Sequence, residues 1–215
     1  MRALALMCTV TVGSAAIWLG ALPPVAAQEQ APYRMRGTLE AVEADRLRVA
    51  TREGETQDVT LQDETRVMVV KPASLEDIKK GDYVGLTSID SGGRRIAISA
   101  HIFADDLRGT AEGQHPWDLV EEPNTMTNAT VAEVQEVGEE RELEVTYGQG
   151  EGEAKTEGSQ TIVVPEELAV VRMEKAADRS VLKPGERAFL VVRDADAGPA
   201  ALAVIVGSEG AAPPM

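Results

Sequence analysis

The chain of 215 residues carries one cysteine, two histidines and 3% aromatic residues, with 21 Lys and Arg against 36 Asp and Glu. Each scarcity excludes something. One cysteine forms neither an internal disulfide nor a thiolate zinc site. Two histidines leave few routes to imidazole chemistry. A net charge of −15 repels phosphate backbones, which excludes a general nucleic-acid binder. The sequence contains no Gly-x-Ser-x-Gly elbow, P-loop or His-Glu-x-x-His. The expectation is therefore a non-enzymatic protein with no cofactor, and a hydrolase using paired carboxylates is the remaining catalytic alternative. Past the N-terminal stretch, no apolar run is long enough to cross a bilayer as a helix.

That N-terminal stretch reads as an address. Arg2 gives a minimal positive start, and an uncharged, mostly apolar run follows from Ala3 to Leu22. Pro23-Pro24 breaks any helix, and Val25-Ala26-Ala27 supplies the small residues of a signal-peptidase site. The pattern predicts a signal peptide over 1–27, cleavage after Ala27, and a periplasmic or secreted protein. The alternative is a retained membrane anchor. Cys8 and Trp18 leave with the leader. The remaining 188 residues are cysteine-free, and the loss of Arg2 takes the net charge to −16. Such a chain folds in an oxidising compartment without a disulfide staple.

Short runs of Val, Ile, Leu and Thr then alternate with polar residues. Leu47 and Val49 alternate within 46–51, Val59 and Leu61 within 58–61, and Ile96, Ile98, Ala100 and Ile102 within 95–102. Period-2 patterning of this kind predicts antiparallel strands with one buried face. His101 falls out of phase with Ala100 and Ile102, which assigns it to the wetter face.

The strands fall into two similar halves. Gly37-Thr38-Leu39-Glu40-Ala41-Val42 is echoed by Ala129-Thr130-Val131-Ala132-Glu133-Val134, and Leu47–Thr51 by Leu143–Tyr147. Ser74-Leu75-Glu76-Asp77-Ile78-Lys79-Lys80-Gly81-Asp82 is echoed by Asp178-Arg179-Ser180-Val181-Leu182-Lys183-Pro184-Gly185-Glu186. Both of the latter begin on a helix-capping residue, place an apolar anchor four residues on, and turn at glycine. The fold expected is all-β: two tandem small antiparallel OB-like barrels, each with one short helical turn. A β-sandwich is the second choice. The expected division is a disordered segment over 28–34, a first barrel over 35–107, an ordered linker over 108–126, a second barrel over 127–210 and a tail over 211–215. The glycine- and glutamate-rich stretch Gly148–Ser159 is expected to be a flexible hairpin tip.

The linker holds His115-Pro116-Trp117-Asp118, with the only tryptophan left after cleavage, so it is expected to pack against one or both barrels. Arg108, Pro116 and Trp117 are candidate interface residues. His115 and Asp118, joined by His101 if its strand passes nearby, are candidate ligands for a divalent metal such as Zn, Cu(II) or Ni. Asp194-Ala195-Asp196-Ala197-Gly198 begins like a calcium loop, but the glycine comes one place early and Ile205 occupies position twelve, so it reads as a hairpin turn. Asn128-Ala129-Thr130 is read as a chance sequon. The remaining carboxylates read as a solvated acidic surface.

The segment from Arg36 to Phe103 resembles the repeat "G-x-(V/L)-x-x-V … L-x-V-x-T … V-x-L … S-L-x-D-(I/L)-K-x-G-D-x-V" of a family of small exported bacterial proteins carrying a domain of unknown function. One branch, often called "metal ABC transporter permease", is similar in Ala100-His101-Ile102-Phe103, Arg108-Gly109-Thr110, Pro116–Leu119, Thr125–Val131 and Pro213-Pro214-Met215. Here Gln114 stands between Glu112-Gly113 and His115, which moves the histidine one place from that branch's pattern. The resemblance implies export and tandem small barrels. The first functional reading is a binding or adaptor module for an envelope protein or small ligand. The second is a metal-binding accessory protein.

Overall fold

In the computed structural model, residues 31–138, 140–150 and 155–213 are described. The expected leader lies outside them, as do residues 151–154 of the glycine-rich tip. Among the described residues twelve strands occur: β1 (Tyr33–Val42), β2 (Arg46–Thr51), β3 (Thr56–Ala73), β4 (Tyr83–Ser91), β5 (Arg94–Phe103) and β6 (Gly113–Trp117) precede β7 (Asn124–Val137), β8 (Glu140–Gln149), β9 (Thr156–Pro165), β10 (Val170–Lys175), β11 (Arg187–Ala195) and β12 (Gly198–Gly207). Among the described residues the only helical elements are 3₁₀ turns, including the expected pair at Leu75–Asp77 and Arg179–Val181. Each turn begins on a side-chain bond. The Ser74 amide donates to Asp77 (2.8 Å), and the Ser180 amide donates to Asp178 (2.7 Å).

Five strands close a mixed barrel in the order β1-β2-β3-β12-β11, with β12 parallel to β3 and the other neighbours antiparallel. Its core holds the alternating residues Leu39, Leu47, Val49, Val59, Leu190, Val192, Val204 and Val206. The expected first barrel over 35–107 is therefore corrected. The closed barrel takes three strands from the first half and its last two from the second, and β1 begins at Tyr33 rather than at 35.

The physical reason is β3. It runs for 18 residues without turning back, because its second half is apolar on both faces. Val69 points into the closed barrel's core, while Met68 and Val70 join a separate cluster with Tyr83, Phe103, Leu107, Ala203 and Ile205. A strand buried on both faces reads as a continuous apolar run and needs neighbours on both sides. β3 thus leaves the barrel and carries β4 and β5 to β7, which β4 pairs from Tyr83↔Thr130 to Ile89↔Asn124. A second core forms there from Val84, Leu86, Ile102, Ala129, Val131, Leu143, Val145 and Ile162. The reciprocal step returns β11 and β12 to β1 and β3.

The exchange is symmetric. β3 and β10 pair antiparallel so that Val69 faces Glu174 and Val70 faces Met173. With Ser74 equivalent to Asp178, Val69 corresponds to Met173 and Val70 to Glu174, so each residue faces the other's counterpart. This is the isologous pattern of a two-fold interface, here within one chain. The bulges repeat as well, at Leu39/Ala41 and Val131/Glu133, and at Thr87/Ser88 and Val191/Val192.

Candidate functional site

Two places concentrate chemistry: the joint under the linker, and a groove beside it. The linker leaves β5 through the 3₁₀ turn Asp105–Leu107, whose Leu107 is buried in the joint. Arg108 donates to the Gly81 carbonyl at 2.9 Å and lies 5.9 Å from the Tyr83 ring. At Ala111 the backbone is left-handed (φ 46°), which costs a residue with a Cβ. Polar contacts converge around it. Asn128 donates to the carbonyls of Thr110 and Ala111, Tyr83 donates to Thr110, and His115 Nε2 lies 3.1 Å from the Ala111 carbonyl. β6 then adds itself to β7 from Gly113↔Asn128 to Trp117↔Asn124.

At its end the linker clamps the closed barrel. Trp117 packs 5.9 Å from the Phe189 ring, with the Arg34 guanidinium 4.2 Å from its own centroid. Arg34 also donates to the Pro116 carbonyl at 3.1 Å. Arg36 is buried; it donates to Asp118 at 2.8 Å and leaves its Nε without a partner. Partial burial works to raise the Asp118 pKa, but the Arg36 bond and the charges of Arg36 and Arg34 outweigh it and hold the carboxyl below its usual range.

His101 is not on a wet face. It is 6% exposed, because the joint cluster covers the outer side of β5. Its ring meets Phe103 edge-on at 4.7 Å, and its Nδ1 has no hydrogen-bond partner. Burial pushes its pKa down to about 4, so the imidazole is neutral. It sits in register beside Gly85, which in turn faces Asn128. A Cβ on Gly85 would lie 2.1 Å from His101 Nε2 and 2.7 Å from Asn128 Oδ1, itself an unpartnered buried atom.

The three proposed metal ligands thus have separate tasks. His101 is packed under Phe103, His115 meets a backbone carbonyl, and Asp118 is held by Arg36. Among the described residues, no group of three or more His, Cys, Asp or Glu side chains converges for a metal. The five residues that do the joint's work unforeseen are Arg34, Arg36, Gly85, Asn128 and Phe189. The only sequence signal among them was Gly85, a glycine inside an apolar strand, which marks a close approach.

The groove, of about 670 Å³, lies over β7, β8 and β9 where the linker crosses their ends, and Thr130, Thr146, Ser159, Glu112, Lys155 and Glu157 line it. Thr130, Thr146 and Ser159 are register partners, so their hydroxyls form one row across three strands. Glu112 bonds Lys155 at 2.8 Å and accepts the Gly148 amide at 3.0 Å. Those two bonds hold its pKa down, the Lys155 bond contributing most. Lys155 lies flat because Gly148 has no side chain: a Cβ there would stand 1.7 Å from the Lys155 Cε.

No protein-family model, curated protein or solved structure matches the chain, so the site is read from its own geometry.

Proposed function

We propose that the chain is an exported, non-enzymatic binding or adaptor protein built of two OB-like barrels that have traded hairpins. The order β1-β2-β3-β12-β11 supports the first barrel. The pairings β7-β8-β9 and β4-β5 follow the same order, with β5 and β9 meeting in parallel at Arg95↔Ile162 and Ile96↔Val163, and they support the second. The leader pattern of residues 1–27 supports export.

The observation that carries the binding role is the groove. It lies on the sheet formed by the second and third strands of the β7-β8-β9 set, the face that OB-like barrels use for oligonucleotides and oligosaccharides. The acidic charge of the chain removes the first of those classes. The partner is an envelope protein or a small ligand seated there. The test is cross-linking in the native envelope with wild type and Thr146→Arg, which fills the groove from an exposed position. The wild type should give a specific adduct and the variant should lose it. Equal cross-linking by both removes the groove from the reading. A mass beginning at Gln28 checks export.

A further inference from the structure

The groove's side chains specify a ligand class. We infer that it takes a neutral oligosaccharide laid across β7, β8 and β9, an inference that rests on the groove being the binding face proposed above. The row Thr130–Thr146–Ser159 presents three hydroxyls on neighbouring strands, spaced about 4.8 Å apart. A hydroxyl both donates and accepts, which is what a chain of sugar hydroxyls requires of its partner. Glu157, exposed at the end of the row, adds a carboxylate that accepts from two neighbouring hydroxyls.

Charge narrows the class further. Among the described residues the lining holds two carboxylates and one ammonium, and that ammonium is already engaged by Glu112 at 2.8 Å. A phosphorylated or uronate-rich ligand would meet an uncompensated negative field. Among the described lining residues, a cationic peptide would find Glu157 free and the Glu112 charge answered by Lys155. An apolar ligand would strand the hydroxyls without partners, at a cost comparable to a lost hydrogen bond each. The Lys155 stem, pressed flat on Gly148, supplies an aliphatic strip beside the hydroxyl row for the C–H face of a sugar ring.

The first half carries an internal control. Its equivalent row is Thr38–Ala50–Thr56, with a methyl group at the centre. The next row outward holds the Arg48–Asp58 ion pair, where the second half has Glu144 and Thr161. The same fold thus presents a hydroxyl row under the linker at one end and a charged, open face at the other.

The test is a screen of the exported chain against soluble neutral glycans of hexose and N-acetylhexosamine units in both anomeric linkages, followed by titration calorimetry. At least one oligosaccharide should bind, with Kd on the order of 10⁻⁵–10⁻³ M. Thr146→Arg should weaken it by at least ~10-fold, Thr146→Ser by no more than ~2-fold, and Ala50→Arg should leave it unchanged. Amide shifts on titration should map to β7–β9, and Ser159→Arg replaces Thr146→Arg if the latter does not fold. Three results overturn the inference: no neutral glycan binds, binding survives both arginine variants in folded protein, or an anionic heparin fragment or tetralysine competes for the row. If every glycan is silent while Thr146→Arg still abolishes the envelope adduct, the ligand class is wrong and the groove remains the binding face.

Discussion

At equivalent places in the two halves, the chain fills the joint in opposite ways. Across β5-β4-β7 the register aligns His101, Gly85 and Asn128; across β12-β11-β1 it aligns Ile205, Phe189 and Arg36. One triplet puts its bulk on the flanking strands and leaves the centre bare. The other puts the largest side chain at the centre, with Arg36 5.0 Å from its ring. Both bury a polar group with an unmet bonding atom: His101 Nδ1 and Asn128 Oδ1 in the first, Arg36 Nε in the second. The first is held neutral and the second remains charged with an outside partner, Asp118. Two halves that share one pattern of pairings therefore close the same joint by different physics, one by volume and one by charge.

The sharpest way to break the first triplet is to give its centre a side chain. Gly85→Val places atoms where His101 Nε2 and Asn128 Oδ1 already lie, 2.1 and 2.7 Å from a Cβ. Overpacking against two buried side chains should cost about 3 kcal/mol, the upper end of the usual range. Urea unfolding reads it as a lower midpoint at unchanged slope. A loss under about 1 kcal/mol would mean that His101 swings away freely and that the triplet is not interlocked.

Acid should expose the next difference. His101 has a folded pKa of about 4 against an ordinary 6.5, so the unfolded state binds the extra proton between those values. Its neutral burial therefore costs nothing above pH 6.5, and stability falls as the pH drops toward 4, by about 3 kcal/mol in all. The carboxylates held down by partners lose stability at still lower pH. The proper comparison is with His101→Gln, which removes the histidine's share: the two stability profiles should converge as the pH falls from 6.5 to 4. Parallel profiles would show that the imidazole reaches solvent.

The second triplet should respond to its charge. Asp118→Asn leaves Arg36 buried without its counter-charge and should cost about 1–2 kcal/mol. Arg36→Met, which keeps the volume and removes the charge, should be close to neutral, because a buried arginine paired with a half-exposed carboxylate seldom outperforms an apolar side chain of its size. Thermal melts of both variants decide it. If Arg36→Met is the more damaging, the guanidinium contributes through its stacking on Trp117 and Phe189 rather than through Asp118.

The elements of these triplets were legible in sequence, and their neighbours were not. β2 matches the span 46–51, and the turns at Ser74 and Asp178 stand where their caps put them, because each is set by residues close in sequence. Alternation records which side of a strand is buried, not which strand lies beside it. β3 was thus read only in part, and the completion of the closed barrel by β11 and β12 went unforeseen. His101 was assigned to water because a strand with one buried face was assumed, whereas the joint covers both faces of β5. Trp117 stood out by its rarity. Its partners did not, because an arginine in an alternating strand, such as Arg34 or Arg36, reads as a solvated side chain until a distant segment is known to cover it. Asn128 carried only the form of a sequon.

The smallest effect separates the two sheet faces rather than the two triplets. Arg48–Asp58 on the first half and Glu112–Lys155 on the second are both surface ion pairs, and isolated surface pairs contribute little. Their surroundings differ. Asp58 answers one arginine across a hairpin, whereas Glu112 also accepts the Gly148 amide and so ties the linker to β8. Neither Asp58→Asn nor Glu112→Gln should move the melting temperature measurably. Hydrogen exchange should tell them apart: Glu112→Gln should raise exchange at Gly148, and Asp58→Asn should leave that amide as it is. The same local opening should appear in the wild type on acidification, since a carboxyl held below its ordinary value of 4.5 keeps its bonds above that pH and gives them up as the pH falls through its lowered pKa. Protection at Gly148 that ignores both the substitution and the acid would mean that the linker is fixed by β6 and Trp117 alone, and that the wall of the groove does not depend on Glu112.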